Sequence, residues 1–336
     1  MEFSKYNSIE NAFQDDFIQS ITEQGFADQQ YVVQEKVHGA NLSFLTDGRQ
    51  VLSAKRTAIL SDKEQFYNSQ QVQQKYQQKL TGLHRQLFNQ LGIKTITVFG
   101  EIFGGRYPHP GVPADDSAKL IQSGIYYCPG NDFYAFDILV DNKTYLDTEL
   151  ASTLFEQHGF IYARSLFQGT LKECLAYPNA FKTTIPQQFR LPEIEGNICE
   201  GTVIRPVHPQ FLRTGARVLI KHKNEQWSEN NKYIDRKLLG RLLEEEALSE
   251  EANFLCEELY KLITKNRLFN VISKTGEVDP VKNHGRVLGM FNKDVLYDFL
   301  KMYRDKYTSL EKHEAKSVNK FLNKQAGKLI EDFFDA

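Results

Sequence analysis

The chain changes period several times, and each change marks an element. Phe13, Phe17 and Ile21 recur at i, i+4 and i+8, with Ser8 placed as a cap, which predicts a short amphipathic helix. From Tyr31 the β-branched and apolar residues turn strand-like. Val32-Val33 leads into Gln34-Glu35-Lys36-Val37-His38-Gly39-Ala40-Asn41, then Leu42-Ser43-Phe44-Leu45 and Val51-Leu52-Ser53-Ala54, with Asp47-Gly48 as the hairpin turn between them. Residues 64–91 carry Phe66, Val72, Tyr76, Leu80, Leu83 and Leu87 among many glutamines, which predicts a solvated amphipathic helix broken near Thr81-Gly82. Strands are expected at 95–103, 133–140, 199–206 and 217–223, short helices at 147–158 and 169–182, and a long loop at 106–131. After a polar stretch at 225–235 the pattern is helical. Leu238, Leu242, Leu243, Leu255, Leu259 and Leu262 give one or two helices, and Phe291–Tyr307 and Ala315–Phe334 two more. The expected architecture is α+β: a domain of antiparallel sheets with flanking helices over 1–231 and an all-helical domain over 232–336.

Composition narrows the class. A chain of 336 residues, 41% hydrophobic and 25% charged, is an ordinary globular protein of one large or two medium domains. Its formal net charge of -2 requires any nucleic-acid surface to be a local patch. Four cysteines without a C-x-x-C pair point to reduced thiols inside a cell, and eight scattered histidines offer no zinc site. No basic-then-apolar leader is seen at the start, and no apolar run approaches the ~20 residues that span a bilayer. An intracellular, cytoplasmic protein without a membrane partner is expected (host cytoplasm for a viral chain), acting as a monomer.

The candidate chemistry lies in charges at strand ends: Lys36, Arg56, Glu101, Glu200, Lys221 and Lys223. Taken singly, each reads as a solvated edge residue, and Lys36-x-x-Gly39 as a surface lysine before a turn. Together they describe a groove with cations, two carboxylates and an amine nucleophile, the inventory for handling a nucleoside triphosphate.

Six stretches occur in order: Lys36-Val37-His38-Gly39, Ser53-Ala54-Lys55-Arg56-Thr57, Val98-Phe99-Gly100-Glu101, Phe133-Tyr134-Ala135-Phe136-Asp137, Glu200-Gly201-Thr202-Val203-Ile204 and Leu219-Ile220-Lys221-His222-Lys223. In these the chain resembles the covalent nucleotidyltransferases, which comprise DNA ligases, RNA ligases and mRNA capping enzymes. Glu35–Asn41, the opening Lys5–Asn11 and Asn270–Glu277 in the helical part make it most similar to the RNA ligase 2 family, phage-type enzymes that seal nicks in duplex RNA. The resemblance spans nearly the whole chain. It departs at Arg205, where the best-matching member has lysine, and in a longer 106–131 loop.

The resemblance implies a nucleotidyltransferase (ATP-grasp-like ligase) domain with two sheets flanking a nucleotide groove. It implies ATP as AMP donor, Mg²⁺ or Mn²⁺ as cofactor, and a nicked double-stranded RNA or RNA-containing duplex as partner. Lys36 attacks the α-phosphate and forms a lysyl-N–AMP bond. To do so it must be neutral, which for a free lysine at about pH 7.4 costs about 4 kcal/mol; neighbouring cations (Lys221, Lys223, Arg56, the metal) and partial burial offset this. Glu101 accepts from the ribose and Phe136 stacks on adenine, with core packing as the alternative for Phe136. Asp137 is counted among the ATP-binding residues, holding the strand end beside Phe136, and Glu200 orients a hydrated metal or the lysine amine. Backbone groups of Glu35 and Val37 read adenine, and Asn41 meets the α-phosphate. His38 handles pyrophosphate or substrate, or makes a structural hydrogen bond near the turn. Arg213 contacts a substrate phosphate or is an ordinary turn arginine. Arg267 and Lys274 grip the duplex, unless the helical part only buttresses the N-terminal core. A DNA ligase or capping enzyme would follow its last lysine motif with a β-rich OB module, and residues 237–336 lack its short alternating strands. A non-catalytic nucleic-acid-binding module would not need the polar residues that all six stretches retain.

Overall fold

In the computed structural model the chain is described at residues 1–61, 63–230, 248–276 and 280–334. It divides into two compact units, Met1–Gln226 and Trp227–Ala336. The expected boundary at 231/232 and the leucines at 238, 242 and 243 lie outside the described residues.

The first unit opens with β1 (Glu10–Asn11), α1 (Asp15–Glu23), β2 (Tyr31–Glu35), β3 (Ala40–Thr46), β4 (Val51–Lys55), β5 (Ala58–Ile59) and α2 (Ser69–Leu91). It continues through β6 (Ile96–Gly104), β7 (Asn131–Val140), β8 (Thr144–Tyr145), α3 (Thr148–Gln157), β9 (Ile161–Tyr162), β10 (Ser165–Gly169), α4 (Leu171–Leu175), α5 (Ile185–Gln188), β11 (Gly201–Pro206) and β12 (Ile220–Lys223). Two sheets result. One has five strands in the order β1-β12-β11-β2-β10; the other has seven, β5-β4-β3-β6-β7-β8, with β9 beside β7. Pairing is antiparallel except at β1/β12 and β7/β9.

Strand alternation builds both layers. Tyr31 and Val33 of β2 pack with Ile204 and Ile220 against Ile21 of α1 and Leu171 of α4. Val32, Gln34 and Lys36 fall on the opposite face. In the seven-stranded sheet Leu42, Phe44, Val98, Phe133 and Ile138 pack on Val72, Tyr76, Leu80, Leu83 and Leu87 of α2.

Three local expectations give way. Ser8 caps nothing: Glu10–Asn11 pairs with Ile220–Lys221, so the backbone is committed to a sheet and the helix starts at Asp15. α2 runs unbroken through Thr81-Gly82, because Leu80, Leu83 and Leu87 keep one buried stripe that outweighs the modest penalty of glycine in a helix. Only Leu171–Leu175 of the 169–182 stretch is helical, opened by a capping box of Thr170 and Glu173.

The second unit holds α6 (Glu250–Leu262), α7 (Lys265–Ser273), α8 (Pro280–Ser309) and α9 (Lys312–Phe334). Leu255, Leu259, Leu268, Val271, Phe291, Val295, Phe299, Leu322 and Ile330 form its core.

Candidate active site

The chain passes from the five-stranded to the seven-stranded sheet at Lys36–Gly39 and returns at Ala163–Arg164. Gln34 Nε2 donates to Ala163 O at 2.7 Å and so ties the end of β2 to the return passage. Between them opens a cleft bordered among others by Tyr6, Lys36, Glu101, Phe136, Val203 and Arg205.

Lys36 N–H donates to Gly201 O at 3.0 Å, so the β2–β11 ladder extends one residue and fixes the Lys36 backbone. Its Nζ stands 2.8 Å from Glu200 Oε2. Lys223 Nζ stands 2.7 Å from the other oxygen, Oε1, and His38 Nδ1 lies 3.3 Å from Oε2. Gly201 makes this convergence possible. It has φ +147°, and a Cβ there would come within 2.3 Å of His222 O, so only glycine lets β12 bring Lys223 up to Glu200. Burial pushes the Glu200 carboxyl upward, but Lys223, Lys36 and His38 outweigh it and hold it well below the usual carboxylate range. Glu200 thus sits on the lysine amine, one of the two positions expected for it. Burial lowers His38, against the pull of Glu200.

Gly39 closes the passage. A Cβ there would lie 2.5 Å from Ile102 O, and its N–H donates to Glu101 Oε2 at 3.0 Å. Burial raises the Glu101 carboxyl, with Lys36 opposing. Asn41 lies directly opposite Glu101 in the β3–β6 register and shares its face of the sheet. Arg56 follows β4, one residue past Lys55, the partner of Leu42. Lys221 sits two residues before Lys223 on the same face of β12, opposite Val203 of the cleft wall. Glu35 and Val37 border the cleft, but the Glu35 carboxylate is turned to Thr183 Oγ1, Thr184 N and Thr184 Oγ1.

Phe136 owes its position to a bulge. Phe99 pairs with Asp137 and Gly100 with Ala135, which leaves Phe136 as the extra residue, re-aimed toward the cleft. Arg205 Nη1 donates to the Phe136 carbonyl at 3.0 Å. Asp137 is fully buried and does not reach a nucleotide. Its Oδ1 accepts from Arg205 Nη2 and Ile138 N, and its Oδ2 from Arg217 Nη1 at 2.7 Å and Tyr6 Oη at 2.9 Å. Burial would raise this carboxyl, but Arg205 and Arg217 outweigh it and lower it. The expected contact of Asp137 with ATP is therefore corrected: it underpins the floor on which Phe136 stands.

Arg213 is exposed on a turn, its N–H held by Gln24 Oε1. Arg267 is the larger correction. It is 0% exposed, its Nη1 2.8 Å from Asp294 Oδ2 and 3.0 Å from Asp298 Oδ2, so it staples α7 to α8 and presents nothing to RNA. Lys274 is spent on the same Asp294, at 2.6 Å.

The sequence reading missed Tyr6, Arg217 and Tyr145, whose ring centroid lies 3.6 Å from the Arg217 guanidinium, and gave Arg205 no role. It also missed Tyr127 of the long loop. Tyr127 Oη accepts from His38 N at 2.8 Å, while Asn197 clasps Tyr126 N and O. Tyr6 and Arg205 lay inside stretches already singled out; nothing local marked the others.

Two sheets clasping a lysine–carboxylate cluster define a nucleotidyltransferase-type domain, here followed by a helical unit. A family profile described as RNA ligase matches residues 29–223, more than half the chain, and one described as T4 RNA ligase 2 C-terminal matches residues 245–328. The chain belongs to the RNA ligase family of ATP-dependent ligases, in the branch that carries the T4 RNA ligase 2 type of C-terminal domain. RNA-editing ligase 1, mitochondrial, of Trypanosoma brucei brucei is 28% identical over 361 residues, covering 89% of this chain and 76% of that protein. RNA-editing ligase 2, mitochondrial, of the same organism is 26% identical over 352 residues, covering 89% and 83%. An apo structure of a mutant Naegleria gruberi RNA ligase superposes with a TM-score of 0.46 at 18% identity over 67% of this chain, which spans 56% of that one. Among the described residues no helix is long and apolar enough to cross a membrane.

Proposed function

We propose that this protein seals 3′-hydroxyl/5′-phosphate nicks in duplex RNA, or in an RNA-containing duplex, by way of a lysyl-N–AMP intermediate. The observation that carries the reading is Lys36 Nζ, partly exposed in the cleft and held by Glu200. In the first step this amine loses a proton, attacks the α-phosphate of ATP and expels pyrophosphate. Glu200 Oε2, 2.8 Å away, orients it. Lys221, Lys223, Arg56 and Asn41 offset charge on the phosphates, with His38 on the pyrophosphate side. Glu101 takes the ribose, Phe136 stacks on adenine, and the backbone at Glu35 and Val37 reads its edge. In the second step AMP moves to the 5′-phosphate of the nick. In the third the 3′-hydroxyl attacks that phosphate and AMP leaves. Arg213 contacts a substrate phosphate, and the helical unit holds the duplex.

Among the described residues no group of three or more His, Cys, Asp or Glu side chains is arranged to hold a metal, and Glu200 already carries two lysines and His38. That donor set fits ammonium groups better than a protein-bound dication. Mg²⁺ or Mn²⁺ accordingly belongs with the triphosphate, where it supplies charge neutralisation. The protein is read as an intracellular monomer.

The test is a denaturing gel of protein incubated with labelled ATP, followed by a panel of nicked RNA–RNA, RNA–DNA and DNA–DNA duplexes. The reading requires a covalent AMP adduct that Lys36→Ala abolishes and a preference for RNA on the 3′-hydroxyl side. Equal sealing of an all-DNA nick refutes the RNA assignment.

A further inference from the structure

Lys312, Lys316, Lys320, Lys324 and Lys328 recur at every fourth position of α9, and all five are exposed. Each step of four residues rises about 6 Å and advances about 40° around a helix, so the five form one stripe about 24 Å long. Val318, Leu322, Ala326 and Ile330 recur at the same interval and are buried. The two stripes therefore wind together, and the lysines stay on the outward side along the whole helix. The outward positions between them include Ser317, Asn323 and Gly327, all short; Glu331 closes the stripe at its C-terminal end.

None of the five lysines enters the core. Like charges at i,i+4 weaken a helix, whereas alternating signs would strengthen it. Charge is also segregated within the unit: α6 carries Glu250, Glu251, Glu257 and Glu258 against the single Lys261. In a chain of net charge -2 such a stripe is a local cationic feature, not the echo of a basic composition.

We propose that the lysine stripe of α9 is a track for the phosphate backbone of the RNA duplex beside the nick. The proposal rests on the ligase reading and assigns a duplex-holding surface that the buried Arg267 does not provide. Ammonium groups are point charges that hold phosphates without regard to base sequence, as an enzyme acting on breaks in varied sequences requires. The stripe interleaves no aromatic residue, so it lacks the stacking platform that single strands use and fits a duplex read through its backbone.

The experiment uses the full chain and a nicked RNA duplex, with binding measured across a salt series. Lys316→Gln, Lys320→Gln and Lys324→Gln are combined in one protein. A control combines Lys265→Gln, Lys293→Gln and Lys301→Gln, the same charge change at exposed positions on α7 and α8. The stripe variant is expected to lose about 2–3 from the slope of log K against log salt, and roughly 100-fold in affinity near 0.15 M salt, through three lost phosphate contacts. Its helix content and its uptake of AMP from ATP are expected to match the parent, and the control is expected to keep the parent's slope. A stripe variant with the parent's slope overturns the proposal, as does a control that loses as much. If the parent takes up no AMP and seals no nick, the ligase reading itself has failed and the track falls with it. If the parent seals and the stripe variant seals with the same salt dependence, the track alone is wrong.

Discussion

Lys36 and Glu200, 164 residues apart in sequence, meet at 2.8 Å, and Lys223 takes the remaining oxygen of that carboxylate at 2.7 Å. One buried acid therefore aligns the Lys36 amine and a second cation at once. Glu200→Gln keeps the shape and removes the charge. It is expected to slow AMP attachment by roughly 100-fold or more. Labelled-ATP time courses read this directly; a rate within a few-fold of the parent would show that the carboxylate only packs.

Lys36→Arg is expected to fail as completely as Lys36→Ala, because a guanidinium stays protonated and is a poor nucleophile. Mapping the adduct by proteolysis checks this. Adenylate recovered on any other lysine would sink the assignment.

Tyr127→Phe removes the oxygen that accepts from His38 N. A buried N–H without its acceptor costs about 1–3 kcal/mol, and here the cost falls on the passage that aims Lys36. AMP attachment is expected to slow about tenfold, while joining of a pre-adenylylated nick, which does not use the lysine as nucleophile, stays near the parent rate. Equal losses in both steps would point to general unfolding instead.

Asp137→Asn leaves Arg205 and Arg217 buried without their counter-charge, which costs about 3–5 kcal/mol. The pH dependence has a definite sign. The folded Asp137 carboxyl titrates below its unfolded value, so its stabilisation is complete above the unfolded value near ~3.9 and drains away as pH falls through the folded value. Glu200 acts in the same direction. Glu35 and Glu101, raised by burial, act in the opposite one: their contribution is present at low pH and lost as pH rises through their folded values. Melting curves from pH 7 to pH 3 are expected to show the gap between parent and Asp137→Asn narrowing at the acid end. A constant gap contradicts the ion-pair account.

A chain ending near residue 226 retains every cleft residue and the apolar clusters of the first unit. It is expected to fold and take up AMP, yet to lose nick binding and AMP transfer to a 5′-phosphorylated nick. It should still join a pre-adenylylated strand. An insoluble fragment, or one that seals like the full chain, removes the substrate-holding role from the helical unit.

What the sequence disclosed, and what it hid, follows from the range of the interactions. Lys36, Glu101, Glu200, Lys221 and Lys223 were legible because each is a charge beside an apolar run, an anomaly visible within ten residues. The bulge at Phe136 was not, since it exists only as a mismatch of register between β6 and β7. Asp137 was placed on the nucleotide because its partners Tyr6, Arg205 and Arg217 lie 68 to 131 residues away. Arg267 was misread for the same reason: an arginine in a helix gives no sign of facing Asp294 and Asp298 until the helices are packed. Ser8 was a sound cap by local rules and lost to a strand pairing with Ile220–Lys221.

The two passages between the sheets carry a further consequence. Lys36–Gly39 is four residues long and Ala163–Arg164 two, and Gln34, at the end of β2 just before the first, bonds to the second. Neither holds any slack. One residue inserted between Glu35 and Ala40 would displace the amine by about 3.4 Å or break the register of a strand, whatever residue it was. The hairpin tip at Asp47–Gln50 faces no such limit. For this fold the arithmetic of the chain across its seam is a stricter specification than the identity of most side chains on either side.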